Sequence, residues 1–536
     1  MSDKIDIHDR ALRLAWWALL AFVLAAVVAA RIHLLQVPLE RDEGEYAYAG
    51  QLMLQGIPPY KLAYNMKFPG TCAAYAGLMA ISGQTLAGIH IGLLLINFAA
   101  VVFVFLIGKE LFGTVCGIAS ASAYAVLSVS PSVLGFAAHA THFVVLPVLA
   151  GSYILLASST RHCCTRRFAA GLLFGLAVLM KQQAVPFVAF GGFFLLLRDW
   201  RSRLIWRHIL LRIVAFLLGA IFPILVTCLL LWKAGVFDTF RFWTINYARE
   251  YATRLSISEG LTVFRALFPY VLESNWAWWV LAPAGLVFSL WNRSARFKAL
   301  TFCCPLLFFS ALAVCPGFYF RSHYFIQILP AISLLAGTAA ALVPFGSRLR
   351  SMRWVGWFVF AAVAAVSIWQ QKDFFFRLSP AAASRAAYGL NPFPEGIRVA
   401  EFLRQRSTPD DKIAVIGSEP EIYFYAHRHS ATGYIYTYAL MEPQPYAAQM
   451  QREMIREIEA ARPKYFVLIG FGYSWMKRVD SDATIFDWFN RYADANLRGI
   501  GLVNVISPDR TDYHLPYAGE PVQLSPNYIL IFERKL

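Results

Sequence analysis

The chain has 536 residues, 58% of them hydrophobic, 15% aromatic and only 15% charged, with a mean hydropathy of +0.52. A soluble protein of this length has too little interior to hide so much apolar surface, so the composition points to a membrane protein. The net charge of +16 would suit nucleic acid, but Lys and Arg cluster in short breaks between apolar runs, where the positive-inside rule places them, and no nucleic-acid-reading motif accompanies them.

From Ala11 to about Gln371, apolar runs near the ~20 residues needed to cross a bilayer recur. From Lys372 on, acids, prolines and tyrosines return to soluble density. Two domains are expected. Residues 1–371 read as an α-helical polytopic membrane domain of about eleven transmembrane helices, and residues 372–536 as a soluble C-terminal α/β domain.

Span 1, Ala11–Leu35, follows Lys4, Arg10 and Arg13, which sets the N-terminus on the cytoplasmic side. Its apolar run is longer than a signal-peptide core, so it reads as a retained span. The short apolar piece Thr71–Ile81 reads as a re-entrant or interfacial helix. Further spans are expected near 85–108, 112–133, 140–158, 167–180, 183–197, 209–232, 274–291, 298–315, 324–345 and 354–371. The basic breaks at Arg161/Arg166/Arg167, Arg198/Arg201/Arg203/Arg207, Arg293/Arg296/Lys298 and Arg348/Arg350/Arg353 then share the cytoplasmic side. Loops 36–84 and 234–272 and the C-terminal domain fall outside. All eight cysteines lie between Cys72 and Cys315. The adjacent pairs Cys163-Cys164 and Cys303-Cys304 lack metal-ligand spacing and read as small buried apolar residues with no disulfide framework.

In the C-terminal domain, helical patterns at Glu395–Arg406, Tyr446–Ala461 and Thr484–Tyr492 alternate with apolar strands at 412–417, 464–470 and 528–534. That alternation predicts an α/β layer with at least partly parallel pairing. The segment GSEPEIYFY (417–425) comes nearest to a phosphate loop but lacks its glycines. A packing or acceptor-docking domain is therefore expected.

The longest polar interval among the first 150 residues is RDEGEYAYAGQLMLQGIPPYKLAYNMKFPG, Arg41–Gly70. A lone acid just beyond a span is usually only solvated. Here Asp42 and Glu43 are adjacent, Glu45 follows, and Tyr46 and Tyr48 suit the headgroup level. Acids and a cation at a membrane surface suit transfer of a sugar from a polyprenyl phosphate. Such a transfer needs a base for the acceptor's proton and no strong acid, because phosphate already leaves well. Asp42, with Glu43 beside it, is the candidate base.

Lys67 beside Phe68-Pro69-Gly70, Lys181 in a break otherwise without basic residues, and Arg321 with His323 in GFYFRSHYF are candidate ligands of the carrier phosphate. Each alone is equally a snorkelling residue; together they favour a cationic clamp. His139 and His142, at i, i+3, read as polar caps of a helix end before they read as metal ligands. No metal or other cofactor is assigned, and a divalent metal is left open. Within the spans only His90, Asn97 and Gln327 are notable polar groups, which argues against an ion-coupled pump.

These segments resemble the GT-C glycosyltransferases, specifically the polyprenyl-phosphate-sugar-dependent group around protein O-mannosyltransferases and the lipid A aminoarabinose transferase. RDEGEYAYAGQLMLQGIPPY, NMKFPG, GLAVLMKQQAV (175–185), RSHYFIQILPAISLLAG (321–337) and PDDKIAVIGSEPEIYFYAHR (409–428) carry the resemblance. It implies a GT-C type membrane domain and an inverting transfer on the non-cytoplasmic face, with Asp42 as catalytic carboxylate and Lys67 on the carrier phosphate. Glu45, Tyr46, Tyr60 and Arg249 are expected to contact substrate. Members often carry an acid at the outer end of the fourth span, where this chain has AHATHFVVLP with His142, a departure that points to a different acceptor. The expected partners are a polyprenyl-phosphate-sugar donor, a lipid, glycan or protein acceptor, and the lipids of the cell membrane. The alternatives are a lipid-linked-saccharide flippase and a non-catalytic polyprenyl-lipid-binding protein.

Overall fold

The computed structural model describes residues 2–157, 163–342 and 351–535. Arg161, Arg348 and Arg350, which the topology reading used, lie outside the described residues. Two compact units emerge. A helical unit comprises Met1–Leu35, His90–Leu229 and Tyr251–Arg377, and a mixed unit comprises Gln36–Ile89, Leu230–Glu250 and Leu378–Leu536.

In the helical unit, every expected span is occupied by a helix. Six helices of the described chain are long and apolar enough to cross a membrane, or seven if one bent helix pair counts as a single span. Other expected spans, such as Thr114–Leu127 and Val185–Arg201, are shorter helices, below the ~20 residues that a bilayer asks of an untilted helix. The loop expected at 234–272 is instead largely helical, with Phe237–Arg241, a π-helical stretch Phe242–Tyr247, Ala248–Ala252 and Ile257–Leu272.

Small residues bring these helices together. Gly285 lies against the Leu335 carbonyl and the Thr338 side chain, and Gly337 against Ser120, leaving no room for a Cβ. Such close approach suits helices that lipid gives no hydrophobic reason to associate. Charge also reaches further inward than the sequence suggested. Arg31 is buried and donates to the Ser128 and Gly135 carbonyls, Arg167 is buried, and Asp199 pairs with Arg212 at 2.9 Å. Each lies within two turns of its helix end, where a partner makes burial tolerable. Cys72, Cys116 and Cys303 are buried and free as expected, whereas Cys164 is exposed.

The mixed unit is built on a five-stranded sheet of order β1-β2-β5-β3-β4. Its strands are β1 (Ile413–Ile416), β2 (Tyr465–Ile469), β3 (Leu497–Ser507), β4 (Arg510–His514) and β5 (Tyr528–Arg534). Only β1 and β2 pair in parallel; β2–β5, β5–β3 and β3–β4 are antiparallel. The expected helices form at Phe393–Arg406, Ala447–Ala461 and Thr484–Asn496. Met450, Met454 and Ile458 are buried along one helical stripe, as their spacing dictates. The acidic segment belongs to this unit. Its helix, Arg41–Leu54, packs beside Gly70–Ser82, where Gly50 leaves space for Ala76 and Met79. It also meets the short helix Glu421–Ala426 through Tyr48 and Tyr423, ring centroids 5.1 Å apart.

Candidate active site

The Arg41–Leu54 helix begins with a capping box made entirely of acids. The Glu40 side chain accepts from the Glu43 amide at 3.0 Å, and the Glu43 carboxylate accepts from the Glu40 amide at 3.3 Å. Two orphan donors of the first turn are thereby satisfied, and Asp42 and Glu43 sit where the helix dipole favours negative charge. Residues three apart share a helical face, so Asp42 and Glu45 project together.

Between them lies Lys67. Its Nζ is 3.1 Å from Asp42 Oδ1 and 2.9 Å from Glu45 Oε2, and 4.6 Å above the Tyr46 ring. The lysine backbone is held at both polar groups: its amide donates to Asn65 Oδ1 at 2.7 Å and its carbonyl accepts from the Tyr60 hydroxyl at 2.8 Å. Tyr60 is itself fixed against Phe240, centroids 5.3 Å apart. The ammonium is thus placed by the fold before any substrate arrives.

Exposure separates the acids. The Asp42 side chain is 19% exposed and that of Glu45 5%, and Glu43 as a whole is 1% exposed. Burial, with Asp42 and Glu43 nearby, pushes the Glu40 carboxyl well above the usual range. Burial raises Glu45 as well, against the pull of Lys67. For Lys67, burial works against the charge, but Asp42 and then Glu45 outweigh it and hold the ammonium protonated well above the ordinary lysine value.

A second group of candidates meets within the helical unit. Lys181, buried at the break between the Cys163–Met180 helix and a short 3₁₀ turn, places its Nζ 4.1 Å over the Tyr324 ring. His323 stands edge-on to Tyr324, with centroids 4.8 Å apart, and stacks on His139 at 4.2 Å. Arg321, two residues before His323, is exposed and lies 5.8 Å from the Tyr319 ring.

Residues 69–232 match the family model of dolichyl-phosphate-mannose-protein mannosyltransferase. No curated protein matches. Among solved structures, ArnT from Cupriavidus metallidurans bound to undecaprenyl phosphate superposes with a TM-score of 0.58 at 15% identity, covering 96% of this chain and 98% of that one. The apo form of the same protein gives 0.56 at 14%, covering 97% and 98%. The apo oligosaccharyltransferase of Archaeoglobus fulgidus gives 0.53 at 12%, covering 95% of this chain and 75% of that one. This chain has the GT-C fold. It is a multi-pass membrane protein.

On this GT-C frame the expected site residues fall into three groups. Asp42, Glu45, Tyr46, Tyr60 and Lys67 are brought together in the mixed unit, with Glu43 capping the helix. Lys181 and His323 meet at Tyr324 in the helical unit, with Arg321 nearby in sequence. Arg249 lies at the surface, 3.4 Å from Glu250. Tyr46 and Tyr48 are fully buried and so do not reach a headgroup layer. Tyr46 packs edge-on to Tyr75, and the Tyr48 hydroxyl accepts from the Ser430 amide at 2.7 Å. The sequence reading missed Arg41, which is buried and bound to residues near 418, and Asn65, which holds Lys67. For Asn65 a signal was available, since an Asn two residues before a turn lysine commonly bonds the backbone two positions on. The family match begins at Pro69 and so does not include the Arg41–Leu54 helix.

Proposed function

We propose that this GT-C protein is a glycosyltransferase that moves one sugar from a polyprenyl phosphate to a lipid, glycan or protein acceptor on the non-cytoplasmic face of the cell membrane. One observation carries the reading. Asp42 is the most exposed acid of its helix's first turn and is held 3.1 Å from a lysine that the fold has already fixed.

The reaction is a single displacement with inversion. The Asp42 carboxylate takes the proton of the acceptor hydroxyl, the acceptor oxygen attacks the anomeric carbon, and the bond from that carbon to the phosphate oxygen breaks. The polyprenyl phosphate leaves with the electron pair as a monoester, gaining one negative charge. A cation near that oxygen stabilises the transition state more than the ground state. Lys67 is suited to this because its second carboxylate partner, Glu45, is a buried acid whose charged form is disfavoured. As Asp42 is protonated, the ammonium loses one anionic partner just as a new anion forms. Glu45, Tyr46 and Tyr60 act by placing Lys67, and Glu43 by fixing the helix start. Within the helical unit, Lys181, Arg321 and His323 offer cationic groups suited to a phosphate.

The test is Asp42→Asn. Asn keeps the size and cannot accept the proton, so transfer should fall roughly 10²–10⁴-fold while undecaprenyl phosphate binding persists. Wild-type transfer by this variant would refute Asp42 as the base. A co-purifying polyprenyl phosphate, identified by mass spectrometry of the detergent-extracted protein, is the expected companion result.

A further inference from the structure

In open α/β sheets, ligands bind at the carboxyl ends of parallel strands, where the following loops diverge. The sheet of this protein has one parallel pair, β1 and β2. The loop after β1 begins Gly417-Ser418-Glu419-Pro420, and the loop after β2 leads through Gly470 and Phe471 to the helical turn Gly472–Trp475. Neither loop has the glycine spacing of a phosphate-binding motif. The edge is occupied by a guanidinium of the same chain.

Arg41 Nε donates to the Ser418 carbonyl at 2.6 Å, and Nη2 donates to Glu419 Oε1 at 2.8 Å and to Asn391 Oδ1 at 3.2 Å. Nη1 donates to the Tyr438 hydroxyl at 3.0 Å, and the guanidinium carbon lies 5.4 Å from the Phe393 ring. The loop after β2 braces this arrangement. The Ser474 hydroxyl donates to Glu419 Oε2 at 2.7 Å and accepts from the Ser418 amide at 2.9 Å, while the Tyr438 hydroxyl donates to the Tyr473 carbonyl at 2.6 Å. Glu419 is wholly buried, and the Arg41 side chain is 8% exposed. Nε, Nη1 and Nη2 of this fork each donate within one rigid plane, which a lysine could not reproduce.

Arg41 is the first residue of the acidic helix, directly before Asp42. We propose that Arg41 and Glu419 are positioning residues: the carboxyl edge of the β1–β2 pair grips the helix start and thereby fixes where Asp42 stands. The C-terminal part of the chain is then an integral part of the catalytic apparatus. Its usual ligand edge has been turned inward onto the protein's own arginine. The proposal rests on Asp42 being the reacting carboxylate, but the grip itself is measurable without any reaction.

The experiment uses the full chain in detergent micelles and three variants, Glu419→Gln, Arg41→Lys and Ser474→Ala. Ser474→Ala is the mildest, for use should the others fail to fold. Hydrogen exchange is read for residues 41–54 and, as a control, for 497–507 and 528–534. Transfer is read with polyprenyl-phosphate mannose as the donor probe. Glu419→Gln and Arg41→Lys should exchange roughly 10- to 100-fold faster across 41–54 with the control strands unchanged. Their kcat should fall on the order of 10²-fold, as for a misplaced reacting group, with little change in KM for the donor. Arg41→Lys keeps the charge, so its failure identifies geometry as the cause. Unchanged exchange across 41–54 in all three variants overturns the proposal. So does faster exchange of the control strands to the same degree, which would make the pair a general element of the fold, or a loosened helix with undiminished kcat. If the helix loosens as expected while the wild type transfers nothing from any polyprenyl-phosphate sugar, the grip stands and the glycosyltransferase reading falls.

Discussion

Gly44→Ala tests how tightly the acidic helix is seated. A Cβ built on Gly44 would stand 2.7 Å from both the Cβ and the amide nitrogen of Glu421 and 2.9 Å from its Cα. Ordinary contact begins near 3.4 Å, so the helix would have to retreat by about 0.7 Å. Two of the three opposing atoms are backbone at the start of the Glu421–Ala426 helix, so no rotamer change can relieve the clash. Overpacking of this kind costs about 1–3 kcal/mol. Replacing a mid-helix glycine by alanine gains roughly 0.5–1 kcal/mol. The net expectation is a destabilisation of up to about 2.5 kcal/mol, against the usual sign of a helix Gly→Ala change. Because Asp42 lies two residues away, a shift of that size should lower kcat by at least about tenfold, given that roughly 1 Å of misplacement costs about 10²-fold. Thermal unfolding of the purified protein in detergent gives the first quantity and donor turnover the second. A higher melting temperature with intact turnover would show that the helix does not press on Glu421, and the seating argument would fail.

Lys67→Ala removes the shared partner of two acids and a preorganised cation; kcat/KM for the donor should drop by about 2–4 kcal/mol of transition-state stabilisation. Unchanged turnover at subsaturating donor would leave Lys67 as a purely structural counter-ion. Both carboxylate oxygens of Glu421 are buried without a hydrogen-bond partner among the described residues, and burial, then Glu419, pushes its carboxyl well above the usual range. A raised folded-state pKa means that the folded chain holds a proton the unfolded chain loses above its value of 4.5. Stability should therefore decline as pH rises from there, by at most about 1.4 kcal/mol per pH unit. Glu421→Gln lacks that proton, so its melting temperature relative to wild type should climb with pH; a difference independent of pH would contradict the neutral carboxyl. For the membrane topology, a reporter fused after Asp373 should register outside the cytoplasm and one at Arg350 inside. The same compartment for both would remove Asp42 from its proposed face.

Local features were legible in the sequence and distant ones were not. The Lys67 turn and strands β1, β2 and β5 announce themselves within a few residues, through a Pro-Gly turn and short β-branched runs, whereas the Arg41–Leu54 helix lies in what reads as a polar loop. Strand β3 was hidden because Gly499 and Gly501 flank a register shift against β5 that breaks its alternation. Strand β4, RTDYH, is a polar edge strand with no buried residue. The Arg41–Glu419 pair joins residues 378 positions apart, and nothing in either neighbourhood points to the other. Tyr46 and Tyr48 carry the composition of an interfacial belt, but their rings are taken up by Tyr75 and Tyr423, a fact of packing that no single-sequence pattern contains. Glu421 likewise reads as a solvated acid beside a proline until Gly44 and Gly396 close over it.

The distribution of charge in the mixed unit explains why one acid among several is suited to chemistry. Glu40, Asp42, Glu43, Glu45, Glu419 and Glu421 are drawn together by the acidic helix and the loop after β1, around Arg41 and Lys67 as their ion-pair partners. So many carboxylates could not all stay ionised out of water. Burial disfavours the charge on Glu40, Glu45 and Glu421, and the close ion pairs are Arg41–Glu419 and Lys67 with Asp42 and Glu45. The first is wholly enclosed and can only hold geometry. At Lys67 the Asp42 carboxylate stays partly open, as the base proposed above requires. A substitution that admits water around Glu40 or Glu421 would let more of these acids ionise. It should then weaken turnover through repulsion across the helix start, even though both residues are buried.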